Sequence, residues 1–172
     1  DTSHGISPFG LIHGLVGSAL WLTYGLLQQD IAVWFANISF ILAQTIIISV
    51  VYRHGKIPRF IIIQMVLALA ALGLLLTQVS ASPVGYVAIA VSGSSIIPQL
   101  IHVMRTENLH GISIVSYLLT IVNCSSWLIY GFVVHDPMIS AQNFVTVPIF
   151  AFITLKAWRW RAANPHATAT TV

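Results

Sequence analysis

The sequence predicts an all-α membrane protein. Six transmembrane helices are expected, as two parallel three-helix-bundle repeats joined by a linker helix, with the first helix of repeat one absent. Three observations predict this. Of 172 residues, 57% are hydrophobic and only 6% are charged, whereas a soluble domain carries roughly a quarter charged residues. The few charges fall at intervals close to the ~20 residues that cross a bilayer core. And the block from His4 to Asn37 returns without a gap as His110 to Asn143, at an offset of 106 residues.

The charges punctuate the helices in order. Asp1 to Asp30 encloses helix A (about 8–28), and Asp30 to Arg53 encloses helix B (about 31–52). Arg59 to Arg105 encloses 45 residues without Asp, Glu, Lys or Arg, too many for one span. Ser80-Ala81-Ser82-Pro83 divides them into helix C (about 59–79) and helix D (about 83–104). Glu107 to Asp136 encloses helix E (about 111–134), and Asp136 to Lys156 encloses helix F (about 137–158). A span must satisfy its backbone polar groups internally, so each is read as a helix. Asp136-Pro137 reads as an N-cap followed by proline at the first helical position, and Asp30 opens helix B in the same way.

Alternating the flanks of six spans puts all seven Lys and Arg on one side: Arg53, Lys56, Arg59, Arg105, Lys156, Arg159 and Arg161. Asp30 and Asp136 take the other side. The positive-inside rule makes the basic side cytoplasmic, with both termini of this chain inside. Five or seven spans would scatter the charges.

Within the repeat, Trp21 falls on Trp127, Tyr24-Gly25 on Tyr130-Gly131, Asp30 on Asp136 and Asn37 on Asn143. Helices A and B thus repeat as E and F, and helix C has no copy. Helix D carries Pro98-Gln99, whose partner would fall at position −8, so a helix ahead of Asp1 is expected. The domains follow: residues 1–56 are repeat one, second and third helices only; 57–80 are the linker helix; 81–161 are the complete second repeat; and 162–172 are a disordered cytoplasmic tail. A three-helix repeat, one linking helix and the same repeat again leave the two copies parallel.

Pro98-Gln99, Gly111-Ile112-Ser113, Trp127-Leu128-Ile129-Tyr130-Gly131, Asp136-Pro137 and Asn143 together closely resemble the PQ-loop/SWEET superfamily. The second copy alone resembles a bacterial SemiSWEET, the half-size form. The first copy adds Gly5-Ile6-Ser7, Trp21-Leu22-Thr23-Tyr24-Gly25 and Asn37. The whole chain is similar to a SWEET without its first helix, and the resemblance covers all but the C-terminal tail.

Trp21 lies nine residues before Asp30 and Asn37 seven after it. At about 1.5 Å per residue both sit roughly 10–14 Å from one membrane face. Trp127 and Asn143 keep the same spacing about Asp136. An indole face packs against a pyranose C–H face, and a carboxamide donates to and accepts from hydroxyls. The resemblance implies that these four residues line a sugar pocket. The competing reading makes the asparagines interhelical glue and the tryptophans core or belt residues. Ser18, Asn123 and Ser126 lie within about one turn of the tryptophans and are candidates for the same pocket, or small and polar residues that let helices approach. Pro98, inside helix D, is expected to kink it, and the resemblance implies a hinge or gate there; a static packing kink is the alternative. Pro8 is a second gate candidate, but its counterpart is Ile114, so the prolines are not symmetric. Gln99 reads as structural. His13 and His102 read as packed and hydrogen-bonded.

No Asp, Glu, Lys or Arg lies deep in any span, which argues against proton coupling and against the amino-acid-transporting cystinosin-like branch. The expected function is a facilitative sugar uniporter for mono- or disaccharides, working by alternating access. The alternative is a non-transporting accessory subunit or receptor on the same scaffold. No nucleophile–base pair or metal constellation suggests an enzyme, a metal site or a cofactor, and no basic stripe suggests nucleic acid. The single cysteine, Cys124, excludes an internal disulfide. The expected partners are the sugar, the bilayer (in the cell membrane) and, from the resemblance, further copies in a homo-oligomer.

Overall fold

A computed structural model of the chain describes residues 8–53 and 80–165. Regular structure there is entirely helical: α1 (Pro8–Gln28), α2 (Ile31–Arg53), α3 (Ala81–Ser94), α4 (Ile96–Arg105), α5 (Ile114–Val133) and α6 (Pro137–Ala163). Helix C lies outside the described residues. Helices A and B form where expected. Helix E starts later than expected, at Ile114, because Ser113 caps it and its hydroxyl accepts from the Ser116 N–H. Helix F runs past Arg161 to Ala163, so the first residues assigned to the tail belong to its last turn.

Helix D differs most from expectation. It is broken at Ser95 into α3 and α4. Pro98 therefore sits in the first turn of α4 rather than in a helix interior, and its side chain is exposed. The break lies where a proline acts, because the ring cannot be packed against the carbonyl four residues back, at Ser94. The freed carbonyls find other partners. Ser95 donates its N–H and its hydroxyl to the Ser92 carbonyl at 3.2 and 2.6 Å. The Ser94 hydroxyl donates to the Val91 carbonyl at 2.7 Å.

Among the described residues four helices are long and apolar enough to cross a membrane: Ile31–Val50, Ala81–Arg105 across its break, Ile114–Val133 and Pro137–Ala163. The expected helix A is present as α1, which is as apolar on average as α2.

The chain divides into two compact units, Asp1–Ser95 and Ile96–Val172. The division falls at the break in 81–105. In the first unit α1 is central and packs against both α2 and α3. Small residues permit this: a Cβ on Gly14 would meet Gln44 Nε2 at 3.0 Å, and one on Gly17 would meet Ser92 Oγ at 3.0 Å. In the second unit α6 is central and packs against α5 and α4. Its core joins Ile96 and Val103 of α4, Leu109 and Ile112 of the following loop, and Ile153 and Ala157 of α6.

Each unit contains one tight helical hairpin, and the two hairpins are built alike. Asp30 N–H donates to the Gly25 carbonyl and Gln29 N–H to the Leu26 carbonyl. Asp136 and His135 repeat this on Gly131 and Phe132. Both are Schellman closures. Gln29 and His135 take the left-handed conformation, φ 57° and 58°, at a cost of about 1–2 kcal/mol for a non-glycine residue. Each aspartate then caps the next helix: Asp30 accepts from Val33 N–H at 3.0 Å, and Asp136 from Met138 and Ile139 N–H at 2.8 and 3.3 Å.

Candidate functional site

The hairpin closures fix the heights of the candidate side chains. Only two residues, Gln29 and Asp30, separate α1 from α2. The helices cross closely there because Gly25 has no side chain: a Cβ would stand 2.6 Å from the Trp34 backbone nitrogen. In the second unit a Cβ on Gly131 would stand 2.8 Å from the Ser140 nitrogen. The repeated Tyr-Gly pair was visible in the sequence as part of the motif, but nothing there marked its glycine as the contact point.

The two tryptophans share a local environment. Trp21 meets Tyr24 edge to face, with centroids 5.5 Å apart and planes at 82°. Trp127 meets Tyr130 at 5.6 Å and 90°. Both indoles are half-buried. The asparagines are also alike. The Asn37 Nδ2–H donates to the Val33 carbonyl at 2.8 Å, and the Asn143 Nδ2–H to the Ile139 carbonyl at 2.9 Å. Each carboxamide thus spends a donor on its own helix, one turn back. Neither asparagine is hydrogen-bonded to the tryptophan of its own hairpin.

The units differ beyond that. The Trp21 Nε1–H donates to Ser92 Oγ of α3 at 3.1 Å. His13 Nε2 lies 2.7 Å from the Val91 carbonyl and 3.3 Å from Ser94 Oγ. A carbonyl only accepts, so His13 carries its proton on Nε2. Trp21 and His13 together tie α1 to the end of α3 beside the break. The histidine is packed and hydrogen-bonded, as the sequence suggested, but the tie to Ser92 and Val91 was not legible, because those residues lie more than 70 positions away.

Ser18 is buried on α1, one turn before Trp21. Asn123 and Ser126 are exposed on α5, and the Ser126 hydroxyl donates to the Val122 carbonyl. Asn143 belongs to a buried polar stripe on α6 with Ser140 and Thr146. Gln142 was overlooked in the sequence; its Oε1 is buried without a partner. Gln99 interacts with the Tyr117 hydroxyl, in keeping with its structural reading. Pro8 is the first residue of α1, where its missing N–H costs nothing.

A family described as a sugar efflux transporter for intercellular exchange matches residues 84–158. That stretch holds α4, α5, nearly all of α3 and most of α6, with Pro98-Gln99, Trp127 and Asn143. Residues 84–158 are thus similar to the MtN3/SWEET family. A relative named sugar transporter SemiSWEET, from Escherichia coli (strain UMEA 3162-1), is 38% identical over 50 residues. The match covers 29% of this chain and 56% of the relative, so the chain spans about half of that relative's length. No solved structure matches. Both SWEET-type matches carry the names of transporters rather than enzymes. With several apolar helices of membrane-spanning length, the chain is a multi-pass integral membrane protein.

Proposed function

We propose that the chain is a facilitative sugar transporter, a uniporter moving mono- or disaccharides by alternating access. The observation that carries this is the duplicated Trp–Asn arrangement. Each hairpin holds its indole edge to face with a tyrosine and its carboxamide on the carbonyl one turn back, at matching spacing from a capping aspartate. A pair of such arrangements suits a ligand with two apolar faces and many hydroxyls. The printed names of the family and of the SemiSWEET relative support a sugar as that ligand.

In this reading Trp21, Asn37, Trp127 and Asn143 contact the sugar, with Ser18, Asn123 and Ser126 beside them. The break ahead of Pro98 serves as the hinge, with Pro8 as a second gate residue. The chain forms six spans in two parallel repeats, 1–56 and 81–161, with 57–80 as linker. Its basic side and both termini face the cytoplasm at the cell membrane, and copies associate. The absence of Asp, Glu, Lys and Arg from the middle of the described spans supports movement down a gradient.

The test is sugar counterflow in proteoliposomes with labelled glucose and sucrose and no ion gradient. Uptake is expected, and Asn143→Ala is expected to abolish it while the protein stays folded in detergent. Undiminished uptake by Asn143→Ala and Asn37→Ala would remove the pocket assignment. No uptake by folded wild-type protein would shift the reading to a non-transporting subunit.

A further inference from the structure

The second unit has a groove that the transport reading does not use. It lies between the end of α4 with its following loop and the end of α6, and it encloses about 530 Å³. Three of the seven basic residues line it: Arg105, Lys156 and Arg159, with Trp160 beside them. Glu107 is the acid on its rim. Lys156 is held in place by the chain itself. Its Nζ donates to the carbonyls of Val103 at 2.5 Å and Met104 at 3.3 Å, the free end of α4. Arg105 and Arg159 are exposed and make no ion pair among the described residues.

The groove does not open onto a polar surface. On α6, Phe152 and Leu155 lie seven and four residues before Arg159, so all three share one helical face. Phe152 is 46% exposed and Leu155 44%. Met104, at the α4 side of the groove, and Trp158 are exposed as well. A cationic notch flanked by tryptophan thus sits at one end of an apolar stripe on a helix long enough to cross a membrane. A free anion would use only the notch. An amphiphile with an anionic head and an acyl tail uses both.

We propose that this groove binds the headgroup of an anionic phospholipid, with Arg105 and Arg159 contacting the phosphate, Lys156 supplying the fixed charge, and the acyl chain lying along Phe152 and Leu155. Basic clusters at the ends of spans attract anionic headgroups by about 1 kcal/mol per residue, about fivefold in retention each. The site is independent of the sugar-contact residues, so its failure leaves the transport reading where it stands.

Native mass spectrometry of the full chain, released from detergent with added phosphatidylglycerol or phosphatidylcholine, tests this. Phosphatidylglycerol is expected to be retained in preference to phosphatidylcholine. Retention should fall about 25-fold in the double variant Arg105→Gln/Arg159→Gln and stay unchanged in Arg53→Gln, a basic residue outside the groove. It should also weaken for the wild type between about 50 and about 500 mM salt, a readout that needs no variant. Equal retention of the two lipids, no loss in the double variant, or no salt dependence would overturn the proposal. Competition by inorganic phosphate as strong as that by phosphatidylglycerol would also overturn it, because the groove would then serve a soluble anion.

Discussion

The two hairpins α1–α2 and α5–α6 are the same local structure placed in different packing. Both close with a Schellman turn, a left-handed non-glycine residue and a capping aspartate. Both cross at a glycine, and both hold the indole and the carboxamide in the same way. Yet a different helix becomes central in each unit: α1 in the first, α6 in the second. One position bears on the first half of this difference. Gly17 makes room on α1 for Ser92 of α3. Its counterpart on α5 is Asn123, which is exposed. A repeated sequence thus repeats what is encoded within one hairpin, and diverges where a third helix must be received.

The comparison can be broken or sharpened by substitution. The largest effect is expected at the crossing glycines. Gly25→Ala and Gly131→Ala each force a methyl against backbone and should destabilise the protein by about 1–3 kcal/mol, read as lowered thermal stability in detergent. Similar losses would sharpen the local equivalence, and a loss at one site only would break it. Next come the caps. Asp30→Ala and Asp136→Ala should each cost about 1 kcal/mol, measured in the same way.

The smallest effect separates the units. Trp21→Phe loses the hydrogen bond to Ser92 and should cost about 0.5–1.5 kcal/mol beyond the change in ring size. Trp127→Phe lacks that component. Ser92→Ala in the Trp21→Phe background should then cost little more, and a full additive loss in this double-mutant cycle would show that Trp21 and Ser92 are not coupled.

The sequence made the hairpins legible because their determinants are close together. The aspartate caps, the proline after Asp136 and the helix limits around Asp30 all act within a few residues. The left-handed turn residues were not legible, since neither Gln29 nor His135 is the glycine that usually marks such a turn. Helix D was read as continuous with a kink at Pro98. The break falls at Ser95, where the Pro98 ring acts on the turn before it, and serine hydroxyls and a histidine far off in the chain take up the carbonyls beside it. The Trp–Asn spacing was legible. The attachment of Trp21 to Ser92 was not, because no local rule selects a partner across 71 positions.

The two-residue closure between α1 and α2 has a consequence for how such a chain can change over time. Each residue of an α-helix advances the direction of its side chains by about 100°. One residue gained or lost between Gln28 and Ile31 would break the bond from Asp30 N–H to the Gly25 carbonyl, and with it the setting that decides which residues of α2, Asn37 included, are turned toward α1. A substitution such as Asp30→Ala costs a cap and leaves that setting in place; a change of length does not.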